Sequence, residues 1–133
     1  MNAIDTQTIR AGEFPLTVRV RSHAFTADVT AATGSHDAAP GPHDLFDAAL
    51  ATCKAMTALW YARRKAIPLE RVETHVESDD SQERAGVYRM RVRVELFGAM
   101  SDEQRADIHR AIGACPIHKL MTTADVQIET VEP

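Results

Sequence analysis

Three features of the chain predict an α+β fold in which a mainly antiparallel sheet packs on a long central helix. A stretch from Gly41 to Pro68 is apolar around nearly its whole circumference, and runs such as Phe14–Arg21 and Val87–Phe97 alternate apolar with polar residues. The strand and helix signals follow one another as β-β-α-β-β-α-α-β, with hairpin-linked strands rather than alternating β and α units. The 133 residues are expected to form a single domain over 1–133, large enough to build a core without disulfide staples.

The first strand is FPLTVRVR, where Phe14, Leu16, Val18 and Val20 oppose Thr17, Arg19 and Arg21 at the period of a half-buried strand. Ser22 and His23 make the turn, and Phe25–Thr30 returns as a weaker strand. The segment ATGSHDAAPGP is rich in glycine, proline and small residues and reads as a loop leading into the central helix. Pro42 suits a first helical turn, and Asp44 and Asp47 complement the positive end of the helix dipole. Arg63, Arg64 and Lys65 complement the other end, and Pro68 stops the helix. Between them Leu45, Phe46, Leu50, Met56, Leu59, Trp60 and the alanines at 48, 49, 51, 55 and 58 face most directions, the pattern of a helix surrounded by protein. Leu69–Ser78 and VYRMRVRVELF then pair across the polar run DDSQERAG, with Arg89, Arg91, Arg93 and Glu95 forming a solvated face. Ser101 and Gln104 give a second helix its capping-box pattern, and Gly113 ends it. Pro116 opens a short third helix with Cys115 at or beside its N-cap, and Val126–Val131 is expected to close the chain as a strand. One sheet of five strands leaves part of the central helix uncovered, so a second copy of the chain is expected to cover it as an isologous dimer.

Composition narrows the function. A net charge of −4 gives no electrostatic case for nucleic acid or an anionic membrane, so neither is expected as a partner. No stretch is apolar enough to insert in a bilayer, and MNAIDTQTIR lacks a signal-peptide core, so a cytoplasmic location is expected. Two cysteines in a reducing compartment point to redox chemistry or to incidental packing rather than to a staple. His36, His43 and His118 could join the cysteines around zinc, but CxxC and HxxxH spacings are lacking, so neither a metal nor another cofactor is expected.

Chemistry therefore depends on Cys53 and Cys115. Thiolates form near positive charge or a helix N-terminus. Cys115 has that setting locally, with His118 and Lys119 close by, whereas Cys53 sits mid-helix as a small core residue would. On local grounds Cys115 is the more acidic. Met56 and Trp60, about a turn from each other on the Cys53 helix, read first as packing and, if a site exists, as an apolar wall.

The segment PHDLFDAALATCKAMTALWYARRKAIPLERV, followed later by ACPIHKLM, resembles the OsmC/Ohr family, which comprises osmotically inducible protein C and organic hydroperoxide resistance protein. The likeness is greatest to its OsmC-like branch, through Cys53, Met56, Thr57, Tyr61, Ala62, Arg64 and Lys65, and it runs roughly from Val18 to Val131. The resemblance implies an OsmC-like fold, an intertwined homodimer, and a thiol-dependent peroxidase that reduces organic hydroperoxides in oxidative stress defence. It makes Cys53 the nucleophile, oxidised to a sulfenic acid, and Cys115 the thiol that resolves it to a disulfide. The reductant it implies is a dithiol, dihydrolipoamide-like or thioredoxin-like. Where the family carries a glutamate paired with an arginine that holds the thiolate, this chain has His43 and Asp44. The arginine is to be sought among Arg10, Arg19 and Arg21, with Arg21 favoured for its place beside the turn. His43 and Asp44 precede Cys53 by about 15 Å of helix, so their role would be to fix that arginine. The alternative from another class is a carrier or binding protein that holds a thiol-linked group on Cys115.

Overall fold

The computed structural model describes residues 2–133, and the chain divides into two compact units between Phe46 and Asp47. The first unit is built on an antiparallel sheet in the order β1-β2-β3, formed by β1 (Ile4–Thr8), β2 (Leu16–Val20) and β3 (His23–Ala27). Val18 sits opposite both Thr6 and Phe25, and with Ala27 it is buried. β1 was not expected, because IDTQT has one large apolar residue and no alternation. It forms because β2 offers it a free edge of backbone hydrogen-bonding groups. Beyond β3 the chain folds around Asp28, whose Oδ2 accepts the Ala38 N–H at 3.0 Å while its own N–H donates to the Pro40 carbonyl at 3.1 Å.

The long helix α1 (Pro42–Arg64) starts at the end of this unit and supplies the spine of the next. Asp44 caps its entry by accepting the Gly41 N–H at 2.8 Å. Within the second unit, β4 (Arg71–Asp79) and β5 (Arg89–Phe97) form an antiparallel hairpin from Arg71↔Phe97 to Asp79↔Arg89. Arg89, Arg91, Arg93 and Glu95 face solvent while Met90, Val92, Val94 and Leu96 face inward, as alternation predicts. Glu77 and Asp79 stand opposite Arg91 and Arg89, giving the arginine row acidic neighbours. α2 (Asp102–Ile112) begins with a complete capping box between Ser101 and Gln104, and α3 (Pro116–Thr122) follows with Cys115 as its N-cap.

Ala58, Ala62, Ile67, Leu96, Ile108 and Ile112 form the core between α1, β5 and α2. Two side-chain bonds seat α1 on the hairpin: Tyr88 donates to Asp47 at 2.8 Å and Thr74 to the Ala51 carbonyl at 3.3 Å. At the hairpin's end Glu70 N–H donates to Phe97 O at 2.8 Å. The next residue, Gly98, has φ +147°, and a Cβ there would run into the Pro68 carbonyl.

Three expectations need correction. The strands make two sheets rather than one of five. Residues 126–131 are not a strand; Val126, Ile128 and Val131 are exposed, because alternation yields a strand only where an edge is available to pair with it. And α1 is not buried all round within one chain. Its buried residues are Leu50, Lys54, Ala58 and Ala62, a single stripe at four-residue spacing. Met56 and Trp60 are 67% and 58% exposed, since the hairpin and α2 reach only one side.

Candidate functional site

Both cysteines belong to the second unit, and both are free thiols. Cys53 projects from the middle of α1 and is half-buried; its Sγ lies 4.0 Å from the Thr57 hydroxyl one turn on. Cys115, in the turn between α2 and α3, has no exposed surface. Its backbone N–H donates to the Ile112 carbonyl at 3.3 Å and its carbonyl accepts the Lys119 N–H at 3.1 Å. This closed turn brings the Cys115 thiol close enough to Cys53 for the two groups to act on each other's ionisation. Residues far apart in the chain thus become neighbours through the packing of α2 on α1.

Burial works against the local setting that favoured an acidic Cys115 thiol. Desolvation, the largest influence, raises its pKa, because a thiolate loses hydration there. The backbone N–H of His118 and the Lys54 ammonium act in the opposite direction, and the neighbouring Cys53 thiol adds to the rise.

Beside Cys53 opens a groove of about 690 Å³, walled by Ala49, Met56, Trp60, Ala111, Pro116 and Ile117, with Thr52 and Thr57 as its hydroxyls. The guanidinium of Arg64 lies 4.9 Å from the centre of the Trp60 ring and steadies that wall by a cation–π contact. Such a groove suits an apolar ligand with a reactive group presented to Cys53. Met56 and Trp60 therefore line a cavity with Cys53.

Arg21, His43 and Asp44 lie in the first unit. Arg21 occupies the first corner of the two-residue turn between β2 and β3 with φ +52°, and its Nη1 donates to Asn2 at 3.3 Å. His43 and Asp44 occupy the first turn of α1. Sequence reasoning missed Lys54, whose ammonium is buried beside this site, and His118 as its partner. A signal was present: Lys54 shares the spacing of Leu50, Ala58 and Ala62, and a lysine on a buried stripe is rarely there for solubility. Among the described residues no group of three or more His, Cys, Asp and Glu side chains comes together as metal ligands would. Among the described residues no helix is long and apolar enough to cross a membrane.

Residues 34–131 match the family described as OsmC-like protein. Solved structures with the same fold include an OsmC-like protein from Mycoplasma pneumoniae, 19% identical with a TM-score of 0.72 over 92% of this chain and 88% of that one. An organic hydroperoxide resistance protein from Legionella pneumophila is 19% identical, with a TM-score of 0.64 over 92% and 90% of the two chains. The organic hydroperoxide resistance protein OhrB of Bacillus subtilis is 18% identical, with a TM-score of 0.60 over 92% and 91%. A search of curated proteins gives no match.

Proposed function

The chain belongs to the OsmC-like protein family, and from that premise we propose that it is a thiol-dependent peroxidase reducing organic hydroperoxides to alcohols. The observation that carries this reading is a half-buried thiol, Cys53, set against a fully buried one, Cys115, at the side of an apolar groove. The Cys53 thiolate attacks the peroxide oxygen, the O–O bond breaks, and the alcohol leaves as Cys53 becomes a sulfenic acid. Cys115 then attacks that sulfur, water departs, and a disulfide remains. A dithiol such as dihydrolipoamide, or a thioredoxin-like protein, restores both thiols by exchange. The hydroperoxide substrate is one with an apolar body, because Met56, Trp60 and Ile117 offer it little else.

In this reading residues 1–133 act as one OsmC-like domain in a cytoplasmic homodimer. The exposed Met56, Leu59 and Trp60 on α1 support the dimer, since a second copy would remove them from water. Arg21 is proposed as the cation that holds the Cys53 thiolate, fixed by His43 and Asp44. The carrier reading loses ground to the burial of Cys115, which leaves no room to display a bound group.

The test is single-turnover oxidation with cumene hydroperoxide, followed by sulfenic acid trapping. Cys53→Ser is expected to abolish it, and Cys115→Ser to stop after one turnover as the sulfenic acid. Arg21→Ala is expected to slow the first step by roughly one to three orders of magnitude, the scale of one preorganised electrostatic contact. Full-rate peroxide consumption by Cys53→Ser would overturn the assignment.

A further inference from the structure

Lys54 is 7% exposed, and a lysine is almost never placed so deep unless its charge is paired. Its Nζ donates to the Ile112 carbonyl at 2.9 Å and lies 3.1 Å from His118 Nδ1. The same Ile112 carbonyl accepts the backbone N–H of Cys115. An ammonium has only donors, so His118 accepts at Nδ1 and carries its proton on Nε2. Lys54 thereby ties the end of α2 to α3 and holds a positive charge at the turn that carries Cys115. That charge acts on the Cys115 sulfur, as does the backbone N–H of His118.

We propose that Lys54, held by Ile112 and His118, is the positioning residue that offsets the cost of charge on the buried Cys115 sulfur, so that Cys115 can be the sulfur expelled when the disulfide is reduced. The inference rests on the Cys53–Cys115 cycle proposed above. The donor thiolate attacks the Cys53 sulfur, which borders the groove, rather than the Cys115 sulfur, which has no exposed surface. A bond forms between the donor sulfur and Cys53, the bond to Cys115 breaks, and its electron pair leaves on Cys115. The donor sulfur is oxidised and Cys115 reduced, and the negative charge arrives beside the Lys54 ammonium and the His118 backbone N–H. The donor's second thiolate then displaces Cys53 as a thiolate, and the donor departs as its own disulfide. In the opposite half of the cycle the Cys115 thiolate, with Lys54 beside it, attacks the Cys53 sulfenic acid and expels hydroxide, which takes a proton to become water. A leaving thiol of lower pKa leaves faster, so Lys54 accelerates regeneration as well as resolution.

The titratable groups that bear on Cys115 are Cys53 and Lys54 from α1 and His118 from α3. Cys53→Ser leaves Cys115 as the only thiol, and its ionisation can be followed by thiolate absorbance without any peroxide. In that background Lys54→Met is expected to raise the midpoint by about 1–3 pH units, the effect of losing a close opposite charge. Lys54→Arg is expected to restore most of the shift. Circular dichroism establishes that each variant is folded. In the chain with both cysteines, with the disulfide installed by diamide, dihydrolipoamide is expected to reduce Lys54→Met more slowly than the parent. An unmoved midpoint in folded Lys54→Met overturns the proposal even if the chain is an active peroxidase. A raised midpoint in a chain inert to hydroperoxides keeps the Lys54 assignment and overturns the peroxidase reading.

Discussion

Asp28 is an acid held as an anion by its own neighbourhood. The Ser35 hydroxyl bears most strongly on it, followed by the Ala38 N–H and, behind the opposing effect of desolvation, the N–H groups of Val29 and His36; the net effect lowers its pKa below the ordinary aspartate value. A carboxyl with a lower pKa folded than unfolded adds stability that is complete above the unfolded value. That stability is lost as pH falls through the folded one. Thermal melts of the parent and Asp28→Asn should therefore differ most at about pH 6 and converge toward about pH 2; a constant gap would show that the carboxylate's charge is not what anchors the turn. Nothing in the sequence singled out Asp28, because the Ser35 hydroxyl and the backbone groups that bear on it belong to a loop without periodicity. Cys53 and Cys115 were legible as chemistry by residue type and motif. Their adjacency was not, since it arises from helix packing, and the burial that raises the Cys115 pKa is likewise tertiary. Lys54 lay in plain view on a four-residue spacing with Leu50 and Ala58, hidden only by the surplus of alanines on the other faces.

Elements with a self-contained signal were readable. The capping box at Ser101 needs only residues three apart, and the β5 alternation needs only its own strand. β1 and the tail at 126–131 failed in opposite directions, because strand formation depends on a neighbouring edge that local sequence does not encode. The ends of elements carry two sharp predictions. After α1, Ala66 has φ +52°, while the following Ile67 N–H returns to the Ala62 carbonyl at 2.9 Å, the helix ending that glycine favours. Ala66→Gly is expected to raise stability by about 1 kcal/mol. After β5, Gly98→Ala meets both a positive φ and the Pro68 carbonyl. It should lower stability by at least about 1–3 kcal/mol, the range for backbone strain alone. Urea unfolding of the two variants reads both signs, and a neutral Gly98→Ala would contradict the close approach at that corner.

At the scale of the whole molecule, one chain leaves much apolar surface in water, with Met56, Leu59 and Trp60 exposed on α1 and Val126, Ile128 and Val131 exposed near its end. Light scattering at micromolar concentration is expected to give twice the chain mass, and replacing Trp60 by glutamate to shift it toward one; a stable folded monomer of the parent would contradict the dimer. The nearness of the two thiols also bears on endurance as well as on turnover. A bond between Cys53 and Cys115 would tie α1 to the α2–α3 turn and close a loop of roughly 60 residues, worth about 4 kcal/mol of denatured-chain entropy if the bridge is unstrained. The oxidised protein should then melt well above the reduced one. A chain that has just consumed an oxidant would be mechanically stapled, and it would loosen again only when a reductant reaches it.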